Sequence, residues 1–204
     1  MTQPTLYLVA GPNGAGKSTL TKSGRFGEAR IVDPDAIARR IAPGDPQRAA
    51  AAAGRTAIRE RRAALGAARS LVVETTLAGS TALRWMHAAK LAGYRVGLHY
   101  VSVSSAAVAL HRIANRVAQG GHPVPEADVR RRFDRSRANL PAAIRRADAT
   151  TLYDNSERGH PHRRVAILEP DRCRFAERPP RWATDAARRA GLTIEADRDQ
   201  GRDR

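Results

Sequence analysis

Apolar residues in this chain come in short runs closed by glycine, proline or an acid, and the runs are separated by longer stretches with apolar positions every three or four residues. The runs read as strands: residues 6–9 (LYLV), the pair Ile31 and Val32, 71–76 (LVVETT), 94–103 (YRVGLHYVSV) and 150–155 (TTLYDN), with 164–168 (RVAIL) as the last. The stretches between them read as helices. Residues 47–69 are rich in Ala and Arg and form one long helix with break points at Gly54 or Gly66, and 79–93 form another. In 104–118 the residues Leu110, Ile113 and Val117 make one apolar stripe, and Arg112 and Arg116, four apart, share the opposite face. In 126–147 the stripe is Val129, Phe133, Leu140 and Ile144, surrounded by Arg130, Arg131, Arg132, Arg135 and Arg137. Strands alternating with helices predict an α/β fold, a parallel sheet flanked by helices on both faces. Beyond Glu169 prolines and charges dominate, apart from a short helix at 182–192. The expected organisation is therefore a domain over 1–170 and a charged C-terminal extension over 171–204, disordered after about residue 194.

The first run enters the most informative stretch, GPNGAGKST at 11–19. A strand, then G-x-x-x-x-G-K-[ST], then a helix is the order of a P-loop. Gly11, Gly14 and Gly16, with Pro12, Asn13 and Ala15 between them, form a turn whose backbone N–H groups can converge on phosphate oxygens. The helix opening at Lys17, Ser18 and Thr19 adds its own unpaired N–H groups. Lys17 supplies a cation for the β- and γ-phosphates, and Ser18 is the expected hydroxyl ligand of Mg²⁺. ATP with Mg²⁺ is the cofactor pair this pattern implies.

Two further acidic positions stand where ligands bind in an open parallel sheet, at the C-terminal ends of strands. Asp33 and Asp35 follow Ile31 and Val32; one of them caps the next helix, and Asp35 is the candidate base toward an acceptor hydroxyl. Glu74 closes the run at 71–74, with Thr75 beside it, in the Walker-B position that holds Mg²⁺ or touches substrate. The segment 120–125 (GGHPVP) joins two arginine-bearing helices through two hinge glycines and two prolines, which reads as a phosphate-clamping helical lid.

Composition changes this picture little. The net charge of +16 raises nucleic acid as a partner, but the basic residues are nearly all Arg in an Ala-rich chain, and aromatics are only 4%. Nucleic acid is therefore unfavoured, and a small phosphorylated molecule accounts for a basic cleft equally well. A lone Cys173 allows no intrachain disulfide, and no run of eighteen apolar residues appears. The expectation is a cytoplasmic protein without a membrane partner.

The segments GPNGAGKST, VDPD (32–35), VVETT (72–76), RVAQGGHPVP (116–125), RRRFDRSRANL (130–140) and LYDNS (152–156) together resemble the zeta toxin family of P-loop kinases, over roughly residues 5–170. The resemblance implies an ATP-dependent kinase of a small-molecule hydroxyl such as that of UDP-N-acetylglucosamine, with an antitoxin protein as partner. It implies Lys17 and Ser18 on the nucleotide and metal, Asp35 as base, Glu74 and Thr75 on the substrate side, and Arg112 or Arg116 on the phosphates. Where better-known members carry a lid arginine this chain has His122, so either His122 or an arginine of 130–132, such as Arg131, reaches the substrate. Two other classes stay open: an ATPase coupled to a partner, and a polynucleotide kinase or nucleic-acid-binding protein.

Overall fold

The computed structural model describes residues 3–121, 123–157, 159–170 and 172–193. His122 and the segment expected to be disordered lie outside them. The described chain forms one seven-stranded sheet in the order β2-β3-β1-β4-β5-β6-β7. Its strands are β1 (Thr5–Ala10), β2 (Arg30–Val32), β3 (Leu71–Thr75), β4 (Arg95–Ser102), β5 (Ala149–Asp154), β6 (Arg163–Glu169) and β7 (Arg172–Phe175). The helices are α1 (Lys17–Thr21), α2 (Pro34–Ile41), α3 (Ala50–Gly66), α4 (Thr81–Leu91), α5 (Ala106–Ala118), α6 (Glu126–Ile144) and α7 (Arg181–Arg189).

The first five strands are parallel, as the alternation of strand and helix requires; β6 and β7 run antiparallel, so the sheet is mixed and not wholly parallel. The link from Asp154 to Arg163 is too short for a helical crossover, which takes a dozen or more residues, and the chain can only turn back. The strand expected to be the last, at 164–168, is also followed by one more. β7 follows, and its alternation places Cys173 and Phe175 against the core while Arg172 and Arg174 face water. The expected boundary at 170 therefore falls inside a β-hairpin, and 172–192 belong to the same body.

The two faces of the sheet have different covers. Leu6, Leu8, Val73, Val96, Leu98 and Tyr100 point to the larger cluster, which α4, α6 and α7 close with Met86, Leu140 and Ala183. Val9, Val72, Val101 and Tyr153 point the other way, under Leu20 and Phe26. α7 is a stripe of buried alanines, Ala183, Ala186, Ala187 and Ala190, with arginines opposite. Its Trp182 helps hold Arg137, whose guanidinium lies 4.5 Å over Phe133 and 5.9 Å from Trp182 and donates to Val103 O at 2.7 Å. The helices α5 and α6 share a small core of their own, with Ala109, Ile113, Val129 and Phe133 buried between them. The stripe read on α6 is buried as expected; on α5 the buried positions are Ala109 and Ile113, with Leu110 and Val117 only partly covered.

Candidate nucleotide and phosphoryl-transfer site

β1 lies between β3 and β4, so the chain leaves its C-terminal end at the point where the sheet is built outward in both directions. Gly11 N donates to Thr75 O at 3.2 Å as the chain turns off the sheet. The turn is crowded from behind. A Cβ on Gly11 would stand 2.0 Å from Val101 O, and one on Gly14 would stand 2.5 Å from Ala109 O of α5. Glycine is needed there because neighbouring backbone occupies the space, and the same approach seats α5 directly on the loop. The helix that follows is short, only Lys17–Thr21.

Lys17 reaches back over the loop and donates to Pro12 O at 2.9 Å. Its ammonium is held well below the usual lysine range, at about 8; burial is the main cause, Arg116 adds to it, and Glu74 opposes it. Ser18 Oγ donates to Glu74 Oε2 at 2.9 Å, so the hydroxyl of the P-loop and the carboxylate of β3 meet at one spot. Glu74 is thus satisfied across the cleft. Thr75 Oγ1 is engaged locally, accepting from Leu77 N at 3.1 Å.

The two aspartates divide their work. Asp33 is the N-cap of α2, accepting from Asp35 N at 2.9 Å, and its other oxygen pairs with Arg39 at 3.9 Å. Asp35 is exposed in the first turn of α2, and its carboxylate makes no hydrogen bond or ion pair among the described residues.

Asn13, Gly14, Gly16, Lys17, Ser18, Thr19, Asp35, Glu74, Thr75, Arg112 and Arg116 all line one open cavity of about 540 Å³ at this end of the sheet. The structure brings most of the sequence-predicted site together. Gly11, Pro12 and Ala15 form the buried underside of the loop. Arg131 is not on the cavity wall; it pairs with Asp128 at 2.7 Å, one turn back on its own helix, while Arg130 pairs with Glu126. The turn after α5 is a helix stop more than a hinge. Gly120 N donates to Val117 O and Gly121 N to Arg116 O, with Gly120 at φ 85, the pairing of a Schellman cap. That cap fixes the end of α5 carrying Arg116.

Sequence reasoning assigned no role to Asn155 or His162. Asn155 Nδ2 donates to Ala15 O at 2.8 Å, and His162 Nε2 lies 2.9 Å from Gly16 O. Asn155 follows directly on β5 in the segment LYDNS, a position where ligands bind in a parallel sheet; His162 sits in an irregular link and carries no local signal.

The cavity fits a nucleotide triphosphate. Its floor is backbone where side chains are excluded, a lysine stands over it, two arginines stand at its rim, and the buried Asn13 Oδ1 in its wall has no hydrogen-bond partner. No group of three or more His, Cys, Asp or Glu among the described residues is placed to hold a metal ion. The Ser18 hydroxyl and the Glu74 carboxylate at one spot suit Mg²⁺, which takes one or two protein oxygens and completes its shell from phosphates and water. Ser18 and Glu74 are the residues that would hold it.

A mixed sheet with a P-loop at the end of its central strand and helices on both faces is a P-loop kinase-like fold. A family model for the AAA domain AAA_33 matches residues 6–142, and the chain belongs to that family. An uncharacterized protein of Haemophilus influenzae is 36% identical over 131 residues, covering 64% of this chain and 94% of the relative. Among solved structures, the AvrRxo1-ORF1:-ORF2 complex with ATP matches with a TM-score of 0.67 at 19% identity, over 96% of this chain and 66% of that one. The present chain thus spans slightly less than two thirds of the AvrRxo1 chain. The PezAT chromosomal toxin-antitoxin system of Streptococcus pneumoniae matches with a TM-score of 0.58 at 14% identity, over 93% and 86% of the two chains. At these identities the likeness is one of fold. No helix among the described residues is long and apolar enough to cross a membrane.

Proposed function

We propose that this protein is an ATP-dependent phosphotransferase that moves the γ-phosphate to a hydroxyl of a small molecule. One observation carries the reading: the P-loop, the Ser18–Glu74 pair and the unengaged carboxylate of Asp35 face a single cavity, with Arg112 and Arg116 on its wall. Asp35 accepts the proton of the attacking hydroxyl. Lys17 and the arginines of α5 neutralise charge on the transferred group, so the protein contributes positioning and electrostatics more than covalent chemistry. Mg²⁺ bound at Ser18 and Glu74 would offset charge on the β- and γ-oxygens. Thr75, beside Glu74 on the cavity wall, is the candidate contact to the acceptor.

UDP-N-acetylglucosamine is the first acceptor to try, on the strength of the resemblance in the motifs. A protein that covers the cleft is the partner to seek, since the PezAT relative is a toxin-antitoxin system. Incubation with γ-labelled ATP and Mg²⁺ across UDP-sugars and other hydroxyl acceptors should label one class. Lys17→Ala should lower turnover by about a hundredfold or more while leaving the unfolding curve in place. Unchanged turnover in that variant would exclude the P-loop as the site of reaction.

A further inference from the structure

The link between β5 and β6 packs against the P-loop and holds it at two successive carbonyls, and its Asn155 also lines the cavity. Asn155 is 7% exposed, and its own N–H is tied to Ser102 O at 2.8 Å, at the end of β4. Its amide is oriented at both ends: Oδ1 accepts from His162 N at 3.1 Å, and Nδ2 donates to Ala15 O at 2.8 Å. The ring of His162 takes the next carbonyl. A carbonyl oxygen can only accept, so Nε2 carries the proton in its 2.9 Å contact with Gly16 O. Leu20 N shares that oxygen at 3.3 Å, the ordinary bond of a first helical turn.

Two details show that this contact is built. His162 is one of few non-glycine residues with positive φ, at 54°, a conformation that costs energy and needs its surroundings to hold it. Gly16 sits so close to the link that a Cβ would lie 2.4 Å from Asn155 Nδ2 and 3.2 Å from His162 Nε2. The second P-loop glycine is therefore required by the Asn155–His162 pair as well as by its own φ of 96°.

The consequence follows from the planarity of the peptide bond. In a trans peptide the C=O and the following N–H point in opposite directions. Pinning the carbonyls of Ala15 and Gly16 toward the link sends the N–H groups of Gly16 and Lys17 the opposite way. Neither N–H makes a hydrogen bond among the described residues. We infer that Asn155 and His162 are positioning residues for the phosphate cradle: through Ala15 O and Gly16 O they fix the two peptide planes whose N–H groups meet the phosphates. The inference rests on the nucleotide-site reading above and adds to it the device that keeps the loop in binding geometry. The link also meets the lid, since Arg112 Nη2 donates to Ser156 O at 3.5 Å.

The test is calorimetric binding of inorganic tripolyphosphate, ATP and adenosine to the full chain and three variants. Asn155→Leu keeps about the size of the side chain, adds no charge to the cavity wall and removes the donor to Ala15 O. His162→Ala removes the second donor, and His162→Gln restores an N–H of similar reach. Asn155→Leu and His162→Ala should each weaken tripolyphosphate and ATP by about tenfold, the scale of one lost hydrogen bond, and leave adenosine unchanged. His162→Gln should recover most of the loss. If His162→Ala does not fold, Asn155→Leu decides, being close in size and uncharged. Tripolyphosphate affinity equal to wild type in Asn155→Leu, a loss confined to adenosine, or a His162→Gln as weak as His162→Ala would overturn the inference. Wild-type protein that binds neither tripolyphosphate nor ATP would remove the nucleotide site itself, a result distinct from unchanged variants.

Discussion

Asp33 and Asp35 have the same chemistry and stand two residues apart, yet the backbone gives them different duties. Pro34 keeps the residue before it out of helical conformation, so Asp33 becomes the cap and spends its carboxylate on Asp35 N and Arg39. Asp35, already inside the helix, is left to face the cavity. Asp35→Asn should therefore keep ATP affinity and lower transfer by about a hundredfold or more, because the amide has the size of the acid but cannot take a proton. Asp33→Asn should be mild, since asparagine caps as well as aspartate and the pair with Arg39 is exposed. Steady-state kinetics and nucleotide titration on the two variants check both statements, and a more damaging Asp33→Asn would reassign the base. At this scale the sequence was readable where one residue type has one use, as with the P-loop glycines, Lys17 and the acids at strand ends. It was not readable for Arg131, whose side chain is claimed by Asp128 on its own helix, nor for His162, whose role depends on a link folding back over a loop 146 residues away.

Elements were legible in proportion to their length and period. The five internal strands and the long helices declared themselves through apolar runs or stripes, while β7 spells RCRF, an alternation too brief to separate from the charged sequence around it. The cover of one face of the sheet by the link after α1 was also hidden, because it rests on one aromatic group: Tyr7, Phe26, His99 and Tyr153 pack together, with Phe26 edge-on to His99 at 5.0 Å. Burial there, with help from Arg25, lowers the His99 imidazole from 6.5 to about 4. The sign follows directly. Between pH 6.5 and about 4 the unfolded chain takes up a proton that the native chain refuses, so His99's contribution to stability is complete above 6.5 and is lost as pH falls through that window. The loss should be on the order of 2 kcal/mol. His99→Phe should flatten this part of the acid limb, as read from urea unfolding at pH 7 and at pH 4.5, while a limb of unchanged slope would place the sensitivity in other groups.

For the molecule as a whole the question is what a net charge of +16 is for. Several arginines are already committed within the fold: Arg130 to Glu126, Arg131 and Arg132 to Asp128, Arg30 and Arg40 to Glu60, Arg137 to Val103 and two aromatic rings. Only Arg112 and Arg116 of the lid arginines reach the cavity. A surface several of whose arginines are committed and whose aromatics are buried or half-buried should attract a polyanion mainly through counterion release. Binding of a single-stranded oligonucleotide should therefore be weak and fall steeply as salt rises. ATP with Mg²⁺ should behave differently. α5 already rests on the P-loop at Gly14, and its end is fixed by the Gly120–Gly121 cap, so charge arriving between Lys17, Arg112 and Arg116 should tighten the α5–α6 hairpin against the sheet. Hydrogen exchange across residues 112–137 should slow with ATP and Mg²⁺ and stay unchanged with oligonucleotide. Tight, salt-tolerant binding of RNA or DNA, accompanied by phosphorylation of its 5′ end and by protection of the same hairpin, would replace the small-molecule acceptor with a polynucleotide.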